Sequence, residues 1–106
     1  MPFIFVTSVF PSHKGPEVGK KFLEQLQKYP DDESLGTTVV NAAVRAGTEG
    51  IQAVTITEVK KGKLEEAITR TNTVIAMYNE IEGFEYKVEL WETAAEALTT
   101  IGMKMP

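Results

Sequence analysis

Apolar and polar positions follow two different periods along this chain. Phe3–Phe10 is apolar on both of its alternating faces, which is typical of a central strand covered on both sides. Residues 16–29 instead carry apolar side chains at helical spacing, at Val18, Phe22, Leu23, Leu26 and Tyr29. Pro11 ends the strand, and Pro30 stops the helix because a residue before proline avoids the helical conformation.

Two β-branched runs, Thr37–Ala46 and Ile51–Val59, flank the turn Gly47–Gly50. The first run also contains small residues that suit a helix, so both structures are compatible with it. Its threonines and valines favour a strand, and together the runs predict a hairpin. A regular ladder around that turn pairs Arg45 with Gln52, Asn41 with Ile56 and Val39 with Glu58.

The second half of the chain predicts a long helix, an edge strand and a short helix. Lys63–Glu82 carries a continuous apolar stripe from Leu64 to Ile81, and Gly83 is a natural stop. Arg70 and Asn72 lie off that stripe and are predicted to be solvated. The strand that follows alternates strictly, with Phe84, Tyr86, Val88 and Leu90 on the buried face and Glu85, Lys87, Glu89 and Trp91 on the other. Residues 93–96 match a capping box that starts the last helix.

The element order predicts one α+β domain over residues 1–106. Its topology is a ferredoxin-like βαββαβ fold with a C-terminal helix, in which both crossover helices cover one face of a four-stranded antiparallel sheet. The first and third strands then lie in the middle. Because the first strand is apolar on both faces, the face without helices needs a partner. The economical partner is a second copy packed sheet to sheet, a homodimer.

Composition removes several classes of function. The net charge is −4 and no lysine or arginine cluster is long enough for a phosphate-tracking surface, so nucleic acid is not an expected partner. The chain has no cysteine and one histidine, so no thiolate or multi-histidine metal site within one subunit is expected. The apolar N-terminal run is too short for a membrane span and lacks signal-peptide features, which predicts a cytoplasmic protein with no membrane partner.

The order of elements over nearly the whole chain carries a resemblance to a known superfamily, and a narrower resemblance is carried by the segment from Leu64 to Leu98. This segment combines the Leu64–Gly83 helix, the run Phe84–Val88, and the acidic, alanine-rich stretch Glu92–Leu98. In this order of elements the chain resembles the dimeric α/β-barrel superfamily of ferredoxin-like proteins, and within it short uncharacterised domains. The superfamily includes cofactor-free oxygenases, isomerases, haem-handling enzymes and small-molecule-sensing domains, so the resemblance implies a dimeric barrel and does not choose a function.

Several residues are candidates for a site. His13, in the loop after the first strand, is either a general base beside an anion-binding Lys14 or a solvated loop residue. A haem ligand at this position would need an apolar pocket, and none is visible nearby in sequence. Tyr78 and Tyr86 either donate hydroxyls to a ligand between helix and sheet or are core rings.

The remaining candidates lie on predicted edge strands. Asn41 and Arg45 fall on one face of the second strand, where they either orient a carbonyl or carboxylate or form a charged edge. Trp91 points away from the buried face of its strand and is predicted to lie at the dimer interface or to anchor the terminal helix. No acid–base or nucleophile constellation is visible. The sequence therefore favours a dimeric domain that binds a small molecule or partner without catalysis and without a cofactor. The alternative is a cofactor-free oxygenase or isomerase, and a third hypothesis is a purely structural oligomer.

Overall fold

The chain folds into one four-stranded antiparallel sheet and three α-helices. The computed structural model describes all 106 residues. The strands are β1 (Phe3–Phe10), β2 (Gly36–Gly47), β3 (Gly50–Val59) and β4 (Glu85–Trp91), in the spatial order β2-β3-β1-β4. The helices are α1 (Gly15–Lys28), α2 (Leu64–Ile75) and α3 (Ala94–Thr100). The predicted α+β class is confirmed, residues 37–46 are a strand, and the architecture is compatible with a ferredoxin-like fold.

Only one face of the sheet is covered by helices. On β1, Ile4, Ser8 and Phe10 are buried on the side of α1 and α2. Ile4 packs with Val59 at the end of β3 and with Ala67 on α2. The short side chain of Ala67 lets the helix lie close to the sheet, so this contact sets the spacing of the two layers.

A second apolar cluster forms where α2 ends. Ile75, Tyr78 and Ile81 are buried together, and Val18 from α1 packs against them. These three residues recur every third position, and the chain there tightens into a 3-10 turn at Ala76–Tyr78 followed by further three-residue turns. The prediction of one helix as far as Glu82 was therefore wrong, because a period of three residues keeps this cluster in line better than an α-helix does.

The β2–β3 hairpin contains two irregularities that the sequence did not predict. Arg45 pairs with Gln52 as expected, but the register shifts between Thr38 and Val40 and again between Val40 and Ala43. Ile56 therefore pairs with Val40 instead of Asn41, and Glu58 pairs with Thr37. Each extra residue on β2 turns the following side chain to the other face. Asn41 consequently does not share a face with Arg45.

Two glycines fix the connections at the far end of the sheet. Gly50 has φ +117°, and a Cβ placed there would clash with the carbonyl oxygen of Phe10. Gly83 has φ +83°, as expected for the residue that stops a helical segment, and packs on the Pro11 ring. These close approaches bring the hairpin and the β4 entry against the end of β1.

The outer strand β4 is less covered than its alternation predicts. Val88 and Phe84 pack on the core, but Tyr86 is 40% exposed and Leu90 is 52% exposed, because the helix layer does not extend over the strand edge. On the opposite face, Trp91 stacks on Phe5 with ring centroids 5.0 Å apart and stays 51% exposed. β4 is an edge strand, as predicted.

The short helix α3 begins at the predicted capping box. The Glu96 amide donates to Thr93 Oγ1 at 3.1 Å, and the Thr93 amide donates to Glu96 Oε1 at 2.8 Å. Glu96 also accepts a hydrogen bond from the Met1 ammonium group at 2.9 Å. These contacts lower the pKa of Glu96, first through the Thr93 backbone amide and then through the ammonium group.

A matched pair of isoleucine substitutions tests the cluster at the end of α2. Ile81 is 3% exposed and Ile101 is 68% exposed. We expect Ile81→Ala to lower the free energy of unfolding by about 2–5 kcal/mol through lost burial and a residual cavity. We expect Ile101→Ala to change it by no more than about 0.5 kcal/mol. Urea unfolding followed by circular dichroism measures both, and equal effects would contradict the assignment of Ile81 to the core.

Candidate functional site

A cleft opens between the helices and the sheet beside the Ile4–Val59–Ala67 contact. Its volume is about 270 Å³. Its floor consists of Ile4 and Val6 from β1 with Thr55 and Thr57 from β3. These residues share the sheet face that α1 and α2 cover, since Thr57 pairs with Ile4 and Thr55 with Val6. Threonines on the sheet and Ala67 on the helix are too small to fill the space between the layers, which leaves the cleft open.

The cleft walls bring together the end of α1, the α1–β2 loop, β2 and α2. Side chains with hydrogen-bonding groups are Gln25 and Tyr29 from α1, Thr38 and Asn41 from β2, and Arg70 and Thr71 from α2. Apolar contributions from α2 are Ala67, Val74 and Ile75. The site thus has an apolar floor with polar groups along its sides, an arrangement typical of small-molecule pockets.

The bulged part of β2 places Asn41 at the cleft. The hydroxyl of Thr55 donates to the Asn41 carbonyl at 3.0 Å, which joins β3 to this irregular segment. Thr38 pairs with Thr57 across the two strands, and both line the cleft. The Asn41 amide and the hydroxyls of Thr38 and Thr57 have no side-chain partner in the chain, so they are available to a ligand.

A buried tyrosine orients Gln25. The Tyr78 hydroxyl donates to Gln25 Oε1 at 2.5 Å, and the Tyr78 ring stacks on Phe84 at 4.8 Å between centroids. Burial raises the pKa of Tyr78 to about 12, so the hydroxyl keeps its proton at neutral pH. Because the Gln25 oxygen is occupied, the donors that this residue offers the cleft are the N–H groups of its amide.

Arg70 fastens the α1–β2 loop to α2. Its guanidinium donates to the Pro30 carbonyl and lies 5.9 Å from the centre of the Tyr29 ring. The side chain is half-buried, so the prediction that Arg70 is solvated was wrong. Asn72, two positions further along α2, is exposed as predicted.

The mouth of the cleft is acidic. Asp31, Asp32 and Glu33 line it and are exposed. Asp32 accepts hydrogen bonds from the Ser34 hydroxyl at 2.5 Å and the Ser34 amide at 3.0 Å. These two bonds lower the pKa of Asp32, and the positive charges of Arg70 and Lys60 add to the effect. The carboxylate therefore stays ionised and poorly suited to take up a proton near neutral pH.

The predicted site residues fall into two groups. Asn41 lines the cleft, and Tyr78 lies behind it, linked through Gln25. His13 and Lys14 lie in a 3-10 turn after β1, at the opposite end of that strand from Ile4, and His13 is exposed.

The other candidates lie on the sheet edges away from the cleft. Tyr86 lies on β4 and pairs with Ser8 of β1. Arg45 donates from Nε to Gln52 Oε1 at 2.6 Å on the face without helices. The fold therefore does not bring His13, Lys14, Arg45 and Tyr86 together with Asn41. The Glu, Asp and His side chains of the chain form no cluster of three or more that could hold a metal ion.

Sequence reasoning missed Gln25, Arg70 and Thr57 as site residues. Arg70 is three residues after Ala67 and four before Val74, so it borders the apolar stripe of α2. That spacing was a usable signal. Thr57 has no comparable signal. The sequence of β3 does not show which residues of the helix-covered face pack against a helix and which face a gap.

The chain matches no protein-family profile, no curated protein and no solved structure. No comparison therefore shows the superfamily, and the α+β fold with its four-stranded antiparallel sheet is compatible with a ferredoxin-like architecture. None of the helices has the length and apolar character needed to cross a membrane.

Tyr78→Phe tests the buried hydroxyl. At neutral pH we expect this substitution to lower the free energy of unfolding by about 1–2 kcal/mol, because the Gln25 oxygen loses its donor. In the wild type, the unfolded tyrosine deprotonates near pH 10 and the folded one near 12. The folded state therefore binds more protons between these values, and this contribution to stability falls as pH rises through that window. The difference in the free energy of unfolding between wild type and variant, measured by urea titration, should therefore narrow from pH 10 to 12. A constant difference would show that Tyr78 ionises as it does in the unfolded chain.

Proposed function

We propose that this protein is a homodimeric domain that binds a small molecule in the helix–sheet cleft without catalysing a reaction. The observation that carries the proposal is the cleft itself: about 270 Å³ beneath α1 and α2, with an apolar floor and several convergent polar side chains. The volume lies just below the usual range of ligand pockets, which is about 300–1,000 Å³. It suits a molecule of one ring or a short branched chain.

The chemistry of the lining favours binding over catalysis. The ionisable groups of the lining are Tyr29, Arg70 and three exposed carboxylates at the mouth. The candidate general base His13 and the candidate hydroxyl donor Tyr86 lie elsewhere in the fold. General acid–base catalysis needs a titratable group within hydrogen-bond reach of the reacting atom. The polar groups of the interior instead suit the recognition of a ligand.

Two threonines of α2 provide a matched test of the cleft. Thr71 and Thr73 each donate to the carbonyl four residues earlier, but Thr71 lines the cleft whereas Thr73 is exposed. We expect Thr71→Leu to fill part of the cleft and Thr73→Leu to leave it open. A thermal-shift screen with small aromatic compounds and small carboxylates should find compounds that raise Tm of the wild type and Thr73→Leu, because a ligand of the native state stabilises it by mass action.

The same compounds should leave Tm of Thr71→Leu unchanged. A shift of equal size in both variants would place the ligand outside the cleft. If no compound shifts the wild type at millimolar concentration, the binding function is refuted. The two unliganded variants are compared first, so that any difference in their own Tm is subtracted.

The sheet face without helices supports the proposed dimer. Phe5 pairs with Ile56 on one side, and Trp91 packs on Phe5, so an aromatic and aliphatic patch lies at the middle and β4 side of this face. Trp91 is half exposed in the single chain. A second copy packed against this face would bury it, and homodimer interfaces are enriched in such residues.

The dimensions of the single chain point the same way. The radius of gyration is 15.4 Å, whereas a self-contained domain of this length has about 13 Å. The molecule is 18 Å thick along its shortest axis, which fits one sheet and one layer of helices. Only 10 of 106 residues are buried. A partner on the open face would add a third layer and enlarge a small core.

Charge on the open face favours one arrangement of the two copies. Arg45 on β2 and Glu85 on β4 lie in one row across the sheet, through Gln52 and Val9. A two-fold axis parallel to the strands exchanges β2 and β4 between the facing sheets. It therefore sets Arg45 of each copy opposite Glu85 of the other, a favourable pairing of opposite charges.

Two neighbouring residues of β4 test the dimer. Trp91 and Leu90 are 51% and 52% exposed but point to opposite faces of the sheet. We expect the wild type to have twice the monomer mass of 11.7 kDa at micromolar concentration, measured by light scattering. Trp91→Glu should shift it toward the monomer because it buries an unpaired charge in the interface, and Leu90→Glu should not. A wild-type monomer, or equal effects of both variants, would contradict a dimer through this face.

A further inference from the structure

We infer that the cleft takes small apolar molecules that carry a neutral carbonyl or amide in preference to carboxylates of the same shape. This inference rests on the proposed binding function and specifies its ligand class. It depends on three features of the site: an arginine already engaged by the protein, an acidic mouth, and an interior rich in neutral hydrogen-bond donors.

The guanidinium of the arginine at the cleft is already used within the protein and is not free to bind an anion. Arg70 uses its guanidinium to hold the Pro30 carbonyl and lies over the Tyr29 ring. Its positive charge also acts on Asp32, whose pKa it helps to lower. A carboxylate ligand would have to compete with these contacts for Arg70. The guanidinium is the only cationic group of the lining, so no other lining residue can pair with a bound anion.

The mouth of the cleft opposes entry of negative charge. Three carboxylates, of Asp31, Asp32 and Glu33, line the site against the single positive charge of Arg70. The net charge of the lining is therefore −2, three negative charges and one positive. Charges of one sign at a cleft raise the concentration of ligands of the opposite sign and lower that of ligands of the same sign. The effect is moderate at this exposed position and decreases with added salt.

The interior offers hydrogen bonds to a neutral acceptor. The Gln25 amide has its oxygen occupied by Tyr78, so it presents N–H donors. The Thr57 and Thr38 hydroxyls add further groups that can donate or accept, and the exposed Asn41 adds its side-chain amide at the edge of the cleft. Ile4 and Val6 provide the apolar floor. A ring or branched alkyl group on this floor, with one carbonyl oxygen directed to the donors, satisfies both parts of the site without placing a charge in it.

Benzamide and benzoate are matched probes for this inference, because they share ring and size and differ in charge at neutral pH. Their dissociation constants are measured by NMR titration of the uniformly ¹⁵N-labelled protein, following the amide resonances of Thr57 and Thr71. We expect benzamide to bind the wild type at least about threefold more tightly than benzoate at low salt. Addition of sodium chloride should reduce this difference.

A double substitution at the mouth tests the cause. Asp31 and Glu33 are exposed and make no hydrogen bond or ion pair through their side chains, so Asp31→Asn with Glu33→Gln should leave the fold intact. Asp32 is kept because it holds Ser34. We expect the double variant to bind benzoate about three- to tenfold more tightly than the wild type, while the affinity for benzamide changes less than twofold.

The matched control is Glu49→Gln with Glu82→Gln, which removes two exposed charges outside the cleft lining. It should change the affinity for neither probe by more than twofold.

The outcomes separate the inference from the proposed function. If benzoate binds the wild type as tightly as benzamide, or if the double variant does not strengthen benzoate binding, selection against anions is wrong while the cleft remains a binding site. If neither probe shifts the cleft resonances of the wild type or of the double variant, the binding function itself is contradicted. An equal gain for benzoate in the control variant would attribute the effect to net charge and overturn the role of the mouth.

Discussion

The packing of Ala67 on Ile4 and Val59 is the contact on which the rest of the structure depends. It holds α2 against the middle of the sheet, and Val59 and Ile4 are the two side chains most completely removed from solvent. A larger residue at position 67 would lift the helix and open the core. Next to this close contact, threonines replace the bulky residues that would normally interdigitate with a helix. The same spacing therefore produces a tight core at one point and an open cleft beside it.

The sequence predicted those features that depend on local pattern. The apolar character of Phe3–Phe10, the β-branched runs of the hairpin and the capping box at Thr93 each correspond to an element of the fold. The central positions of β1 and β3 followed from element order. Long-range features escaped prediction: the bulges of β2 and the early end of α2 depend on the residues packed against them, and neither contains a glycine or proline that would mark the irregularity.

The candidate site was predicted only in part, for the same reason. Asn41 was singled out, but on the expectation of a regular strand that would have grouped it with Arg45. His13 was a candidate because an imidazole can act as a general base. Its position at the far end of β1 separates it from the cleft. Gln25 is an ordinary helical residue by composition, and the only local signal for Arg70 is its place beside the apolar stripe of α2. Their importance comes from the convergence of α1, α2 and a loop, which no local pattern encodes.

The bulges of β2 also affect how this chain avoids aggregation through its strand edge. Residues 41–49 of the hairpin are all exposed, and β2 leaves one side of its backbone unpaired along the sheet border. Arg45 is the only charged side chain on this strand, so the usual protection of an edge by lysines is absent. A strand with two interruptions in its hydrogen-bond ladder is a poor template for an incoming strand. The irregular backbone that directs Asn41 to the cleft thus also protects the protein from edge-to-edge aggregation.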